Sequence, residues 1–228
     1  RHAHRERERQ DAVRALIARQ PALAGLLGGA GAGAVEEWVI ELATGRVATW
    51  VDPADVDGER AAADPLTSTA LPPDRDLAGI GRRADLATAY VVLDEAGRPL
   101  VLVLPVHGRG YGGVLRGFVA VAGDGNTVGG LGFHTHAETP GVGGALLEDD
   151  EWLATWQGKR VRDAAGRVRS GVSARELAPG SEAARFEVDT VSGATVTTTA
   201  VGNMLRFWLG DDGVGPFLAR VRDGSALR

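Results

Sequence analysis

The chain has 228 residues, of which 44% are hydrophobic and 24% charged, so it is long enough for one or two globular domains with a buried core. Its formal net charge of −5 argues against nucleic-acid binding, which requires clustered Lys and Arg. The absence of cysteine excludes disulfides, thiolate nucleophiles and metal centres held by Cys, so any redox centre has to be a bound cofactor.

An apolar spacing typical of a helix occurs near the start of the chain, within residues 6–27. The apolar positions are Val13, Leu16, Ile17, Leu23 and Leu26. Because Pro21 interrupts the spacing, we predict a short helix that ends near Arg19 and acts as a stalk or lid. No apolar stretch approaches the roughly 20 residues that span a bilayer. The chain opens with a charged run from Arg1 to Arg9, which we interpret as the flank of a removed segment.

Three pairs of short segments predict three consecutive β-hairpins. They are Val35–Val51 with a turn at Thr44-Gly45, Ala89–Leu93 with Pro99–Val106, and Leu115–Ala122 with Val128–His134. In the first hairpin, Trp38 and Trp50 are candidate core residues. The segment Asp52–Arg83 is rich in Asp, Pro, Ala and Thr and lacks periodicity, so we predict a long irregular connection there.

The second half of the chain adds helices to this sheet. Glu151–Trp156 is predicted to be helical, with Trp152 and Trp156 on one side, and Arg185–Val188 is predicted to be a short strand. Thr198–Leu209 has helical apolar spacing and is followed by Gly210 as a stop signal. We therefore predict an α+β fold with a twisted, mostly antiparallel sheet and helices packed around it.

A turn of small residues stands immediately before that last helix. Ser192, Gly193 and Ala194 precede Thr195, and Asp189 lies six residues earlier than Thr195. The unpaired N–H groups and the dipole at a helix start favour a phosphate, and small side chains would let a bulky group reach the Thr195 hydroxyl. Asp189 is a candidate to assist attachment as a base or metal ligand. The alternative is that Ser192, Thr195, Thr197 and Thr198 form a polar turn that only caps the helix.

The segment Asp189–Thr195 resembles the flavinylation signature of the FMN-binding domain family, which reads Asp, two residues, Ser or Thr, Gly-Ala-Thr. The resemblance implies that Thr195 forms a phosphoester with FMN. It also implies that a separate magnesium-dependent flavin transferase installs the FMN from FAD during maturation.

Further segments resemble the C-type subunits of the sodium-translocating NADH:quinone reductases. They are Gly117–Ala120, Asp124–Val128, Glu138–Gly144, Trp156–Lys159, Phe207–Gly210, Gly215–Leu218 and Arg222–Gly224. This resemblance implies a covalent FMN carrier that relays electrons within a membrane complex. It further implies other reductase subunits as partners, an N-terminal membrane helix that precedes this sequence, and a position on the periplasmic side. A complete NADH or quinone site is not expected on this chain.

The resemblance also implies a flavin-contacting loop at Glu138–Gly144. Polar contacts are expected from Glu138 and Thr139, a fixed backbone from Pro140, and close approach at Gly141. Val142 departs from the Leu that is usual in the family, so we expect looser packing against the ring. Two further residues are expected near the flavin, namely Arg175 as a basic contact and Tyr111 in the preceding loop. The implied organisation is a stalk at residues 1–30, an N-terminal α+β part at 31–105 and an FMN-binding part at 106–228.

Several other motifs compete with this interpretation. Gly108–Gly113 satisfies G-x-G-x-x-G, but the following Val114–Ala122 is predicted to be a strand, whereas a dinucleotide site needs a helix. His134 and His136 form a pair without a third metal ligand nearby, so no metal site is predicted. A Ser192-His-Asp189 hydrolase lacks the nucleophile elbow. The alternatives left open are an Rnf-type G subunit, a stand-alone FMN-binding redox protein, and a non-redox surface binding module.

Overall fold

The structure, a computed structural model, describes residues 32–227 and contains ten strands in that range. The strands are β1 (Ala32–Glu41), β2 (Arg46–Val47), β3 (Ser68–Ala70), β4 (Arg82–Ala84), β5 (Leu86–Asp94), β6 (Pro99–Arg109), β7 (Val114–Ala122), β8 (Val128–Thr135), β9 (Gly171–Ser173) and β10 (Glu187–Asp189). Six of them form a central antiparallel sheet in the order β2-β1-β5-β6-β7-β8. β3 pairs with β4 in an antiparallel ladder, and β9 pairs with β10 in a parallel one.

Helices of very different length accompany this sheet. They are α1 (Gly58–Ala63), α2 (Gly143–Leu147), α3 (Asp150–Ala154), α4 (Thr195–Trp208) and α5 (Gly215–Arg222), with 3-10 turns at Pro53–Asp55 and Ala183–Arg185. The predicted α+β fold with a mostly antiparallel sheet is therefore confirmed. Among residues 32–227, no helix is long and apolar enough to cross a bilayer.

The main core lies between one face of the sheet and α4 with α5. Alternation along the strands sends Ile40, Leu102 and Val119 to this side, which we call the helix face of the sheet. Val201 and Met204 of α4, three residues apart on one helical stripe, meet them there. Residues one position along each strand point to the opposite side, which we call the second face.

The three predicted hairpins are confirmed as β1–β2, β5–β6 and β7–β8. Trp38 is buried in the core as predicted, and its ring meets Phe217 edge-on at 6.4 Å. The prediction for Trp50 is wrong, because 72% of this residue is exposed. β2 ends at Val47, so Trp50 lies in the turn beyond it, where strand alternation no longer directs side chains inward.

The prediction of an irregular connection over Asp52–Arg83 is also wrong, because this segment contains α1, β3 and the start of β4. Side-chain hydrogen bonds to nearby backbone groups shape this segment, and such bonds leave no periodic pattern in the sequence. Asp52 accepts from the N–H of Ala54, and Asp57 caps α1 by accepting from the N–H of Arg60.

Elements in the second half agree with their predictions to within a few residues. Trp152 and Trp156 stack edge-on at 6.1 Å, although α3 itself ends at Ala154. The predicted strand near Val188 is β10. The predicted stalk lies outside the described residues. The predicted boundary between the N-terminal part and the FMN-binding part, at residues 105 and 106, lies within β6. The division into parts stays a prediction.

Candidate functional site

Thr195 is the first residue of α4, the longest helix among residues 32–227. The helix thus begins three residues before the predicted start at Thr198. In the turn ahead of it, Ser192 and Gly193 are exposed, and Gly193 has a φ of +83°, a backbone region that favours glycine. Ala194 is buried and Thr195 is exposed, so the Thr195 side chain projects from the protein at a helix start.

The N-terminus of α4 is not capped by a side chain, and Ala194 occupies the cap position of the described helix. Two of the candidate capping hydroxyls, those of Thr197 and Thr198, bond to other groups. Thr198 Oγ1 lies 2.9 Å from Thr190 Oγ1 and donates to backbone oxygens of the preceding turn. The described start of α4 therefore lacks the side-chain cap that the capping alternative predicted. The first-turn N–H groups have no acceptor within the helix, and they suit an anionic group such as a phosphate.

Glu138 holds three segments of the site together. Its Oε2 accepts from the Thr197 hydroxyl at 2.5 Å, and its Oε1 accepts from the N–H of Gly112 at 2.9 Å. The residue is 5% exposed. Because both carboxylate oxygens are engaged, Glu138 braces the first turn of α4 against two loops. This bracing role was not foreseen from the sequence, which gives no sign that residues 112, 138 and 197 meet.

Glycines allow these loops to approach so closely. A Cβ placed on Gly143 would collide with the Thr197 hydroxyl, and one on Gly112 would collide with the backbone of Ala137. The G-x-G-x-x-G motif therefore serves loop packing here. It is followed by β7, as predicted, and not by a helix.

The turn at residues 139–142 presents a continuous exposed surface. The carbonyl of Thr139 accepts from the N–H groups of Val142 and Gly144, and Gly141 has a φ of +73°. Thr139, Pro140, Gly141 and Val142 are all exposed. Tyr111 is also exposed, and it belongs to the loop whose Gly112 is bound by Glu138. Apolar and aromatic side chains thus stand in solvent on segments that are fixed to the start of α4.

Asp189 and Arg175 lie on neighbouring segments, because the parallel strands β9 and β10 end at the same edge. Asp189 Oδ1 accepts from the N–H of Leu177 at 2.7 Å, which ties the loop after β9 to the strand before the turn. Arg175 is exposed within that loop. The hydrogen bond of Asp189 is directed to this loop and not to the Thr195 hydroxyl.

An open cavity of 460 Å³ adjoins Thr195. Thr195, Thr199 and Asn203 line it at four-residue intervals along α4, and Arg109 stands on the opposite wall. The remaining lining residues are Asp76, Leu77, Ala78, Gly79, Gly110, Val196 and Ala200. Thr195 is the predicted site residue that lines this cavity. The four-residue spacing could have revealed Thr199 and Asn203, whereas the wall at 76–79 is brought in by tertiary contacts such as Arg109 N–H to Ala78 O at 2.8 Å.

His107, whose pKa is strongly shifted, lies beside the C-terminal end of α4. Burial, assisted by the charge of Arg116, lowers the pKa of His107 to about 4, although Glu59 acts in the opposite direction. The His107 carbonyl accepts from Trp208 Nε1 at 2.7 Å, and the two rings lie 4.9 Å apart. His107 is therefore neutral at neutral pH.

No group of three or more metal-binding side chains occurs within residues 32–227. His134 Nδ1 lies 3.0 Å from the Thr135 hydroxyl, and His136 Nε2 lies 3.6 Å from Glu148. The two histidines are thus engaged with different neighbours.

The exposed threonine, the uncapped first turn and the adjoining cavity leave room for a ligand with an anionic group, and comparison with known proteins identifies an FMN-binding domain. The profile described as FMN-binding domain matches residues 110–210. The C subunit of the Na(+)-translocating NADH-quinone reductase from Pseudomonas aeruginosa is 43% identical over 188 residues, which are 82% of this chain and 71% of that protein. The corresponding C subunit from Yersinia pestis is 40% identical over 76% of this chain and 64% of that protein. The crystal structure of Shewanella oneidensis NqrC superposes with a TM-score of 0.73 at 32% identity and covers 88% of both chains.

Proposed function

This chain belongs to the family of C-type subunits of the Na(+)-translocating NADH-quinone reductases, and we propose on that premise that it carries FMN covalently on Thr195 and transfers electrons within such a membrane complex. The linkage is a phosphoester between the Thr195 hydroxyl oxygen and the phosphate of FMN. A flavin transferase forms it with FAD as donor, so that FMN is transferred and AMP leaves.

The observation that carries the proposal is the position of Thr195. Its side chain is exposed at the start of a 14-residue helix whose cap position is filled by Ala194, and it lines an open cavity. A phosphate ester at this oxygen would stand among first-turn N–H groups and at the positive end of the helix dipole. Ser192 and Gly193, both small and exposed, leave room for a modifying enzyme to approach.

The other residues of the site have supporting roles in this proposal. Thr139, Pro140, Gly141 and Val142 present an exposed surface against which an isoalloxazine ring can rest. Glu138 holds that surface and the first turn of α4 in a fixed relation through Thr197. Tyr111 and Arg175 are exposed on adjacent loops and are proposed as further flavin contacts.

The flavin supplies the redox chemistry when it is bound, and the protein supplies its attachment and surroundings. A phosphoester keeps the cofactor from dissociating through repeated cycles without altering its ring. We further propose that the other subunits of the reductase are the electron partners, and that the domain lies on the extracytoplasmic side of a membrane to which its N-terminal segment is anchored.

The test is expression with a flavin transferase, followed by denaturing gels that are viewed for flavin fluorescence. The parent chain should fluoresce, and Thr195→Ala should not. Thr199→Ala is the matched control, because it removes a hydroxyl that lines the same cavity one helical turn away. The intact mass of the parent and of Thr199→Ala should increase by the mass of one FMN minus one water. The intact mass of Thr195→Ala should not increase.

Retained fluorescence in Thr195→Ala would place the adduct on another side chain and contradict the proposal. An unmodified parent chain would favour the non-redox surface module instead.

A further inference from the structure

The second face of the sheet carries a well-shielded apolar cluster. Its members are Tyr90, Val92, Val101, Val103, Phe118 and Ala120, each at most 3% exposed. Tyr90 and Phe118 stack edge-on at 6.2 Å across the strands. Shielding to this degree is typical of side chains that a further layer covers.

Among residues 32–227, apolar side chains supply little of that layer. Leu100 is the one partly buried apolar side chain among them that packs against the cluster. α1 approaches this face at one edge, where Glu59 pairs with Arg116 at 2.9 Å, and α1 contributes no buried residue. Since α4 and α5 lie on the helix face, a different segment has to cover the second face.

The N-terminal part of the sequence has the composition required of such a cover. Val13, Leu16 and Ile17 recur at helical spacing and would form one apolar stripe, with Ala15 and Ala18 on the opposite side of a helix. Residues 28–31 read Gly-Gly-Ala-Gly, which allows the chain to reverse direction.

The start of β1 lies close enough to the cluster for the residues before it to reach the second face. Ala32 pairs with Asp94 of β5, two residues from Val92 of the cluster. Five residues, from Leu27 to Ala32, reach up to about 17 Å. Three strand spacings, from β1 to β7, amount to about 14 Å. A segment that ends near Leu27 can therefore lie across the strands that carry the cluster.

We propose that residues 13–27 dock on the second face of the sheet, with Val13, Leu16 and Ile17 against the Tyr90–Phe118 cluster. This contact sets the direction in which the N-terminal segment leaves the flavin domain. It does not depend on whether Thr195 carries a flavin.

The native chain has no cysteine, so a single introduced thiol reports on one position without background. In the full chain, Ala120→Cys should react slowly with a thiol reagent. Adding Leu16→Asp and Ile17→Asp should accelerate labelling by at least about tenfold, because local undocking exposes the thiol. Adding Ala15→Asp and Ala18→Asp, which place the same charges on the opposite side, should leave the rate within about twofold of the Ala120→Cys parent.

A second thiol separates undocking from unfolding. Val119→Cys lies on the helix face and should stay protected in the Leu16→Asp/Ile17→Asp background. Equal acceleration at both positions, or unchanged slow labelling at Ala120→Cys, would overturn the proposal. Protection of Ala120→Cys that disappears on dilution would assign the cover to a second copy of the chain, which would also overturn it.

Cross-linking provides an independent measurement. Leu16→Cys combined with Val103→Cys should oxidise to an intramolecular disulfide in the full chain, whereas Ala18→Cys combined with Val103→Cys should not. Equal cross-linking in both pairs, or none in the first, would contradict the proposed orientation.

Discussion

The two ends of α4 meet the rest of the molecule in different ways. At its C-terminal end, Leu205 and Trp208 are buried, and Trp208 Nε1 donates to the carbonyl of His107. At its N-terminal end, Thr195 and Val196 are exposed, and a bond from Thr197 to Glu138 and one between Thr198 and Thr190 hold the first turn. One end is held by apolar packing, and the other is held by polar contacts of the buried Thr197 and Thr198 side chains.

This difference shows how the helix can combine stability with an open modification site. Apolar side chains toward the C-terminal end hold α4 on the sheet, whereas its first turn has no side-chain cap. Substitutions at the packed end should therefore reduce the free energy of unfolding most, and substitutions at the open end should also change flavin loading.

The largest effect is expected at the packed end. Trp208→Ala should lower the free energy of unfolding by about 3–5 kcal/mol, because it leaves a cavity and removes a hydrogen bond to a buried carbonyl. Trp50→Ala, at an exposed position, should change it by less than about 0.5 kcal/mol. Urea denaturation of the two variants measures the contrast. Equal losses in both would show that the C-terminal end of α4 is not the anchor.

A pH-dependent loss of stability should follow from His107 at the same end. Its pKa is about 4 in the folded protein and about 6.5 in an unfolded chain, so the unfolded chain binds more protons between these values. The free energy of unfolding should thus fall by about 3 kcal/mol as the pH drops from 6.5 to 4. Denaturant titrations at several pH values, compared with His107→Gln, isolate this contribution. A pH profile in the variant that matches the parent would contradict the assignment.

The smallest of the three effects is expected at the open end. Thr197→Val removes the hydroxyl donor to Glu138 and should cost about 1–3 kcal/mol, because a buried carboxylate oxygen loses its partner. Flavin loading on Thr195 should fall with it, since the first turn of α4 is no longer braced. Thr199→Val, which makes the same chemical change at an exposed position, should alter neither quantity. Loading by the transferase and thermal denaturation are measured on the same samples.

The sheet was predictable because strand alternation and hairpin turns are local signals. Val101–Val106 and Leu115–Ala122 alternate toward the two faces, and each hairpin joins neighbours in sequence. The fold of Asp52–Arg83 was missed because Asp side chains that bond to nearby N–H groups, and a β3–β4 pairing across a loop, leave no periodic pattern.

The candidate site was predictable in part for the same reason. The small residues before Thr195 indicate a helix start and an accessible hydroxyl. The true first turn was missed because Val196 and Thr197 are β-branched and favour helix poorly, while the contact that holds them comes from Glu138, which is 59 residues away. The wall of the cavity at residues 76–79 likewise depends on tertiary structure.

The position of Glu138 also bears on the order of events during biogenesis. Its carboxylate joins Gly112 and Thr197, so the turn that presents Thr195 takes its form only after distant parts of the chain have met. We therefore expect cofactor attachment to follow folding, and chains that fail to close this contact to remain unmodified. Attachment would then act as a check that only correctly assembled chains pass.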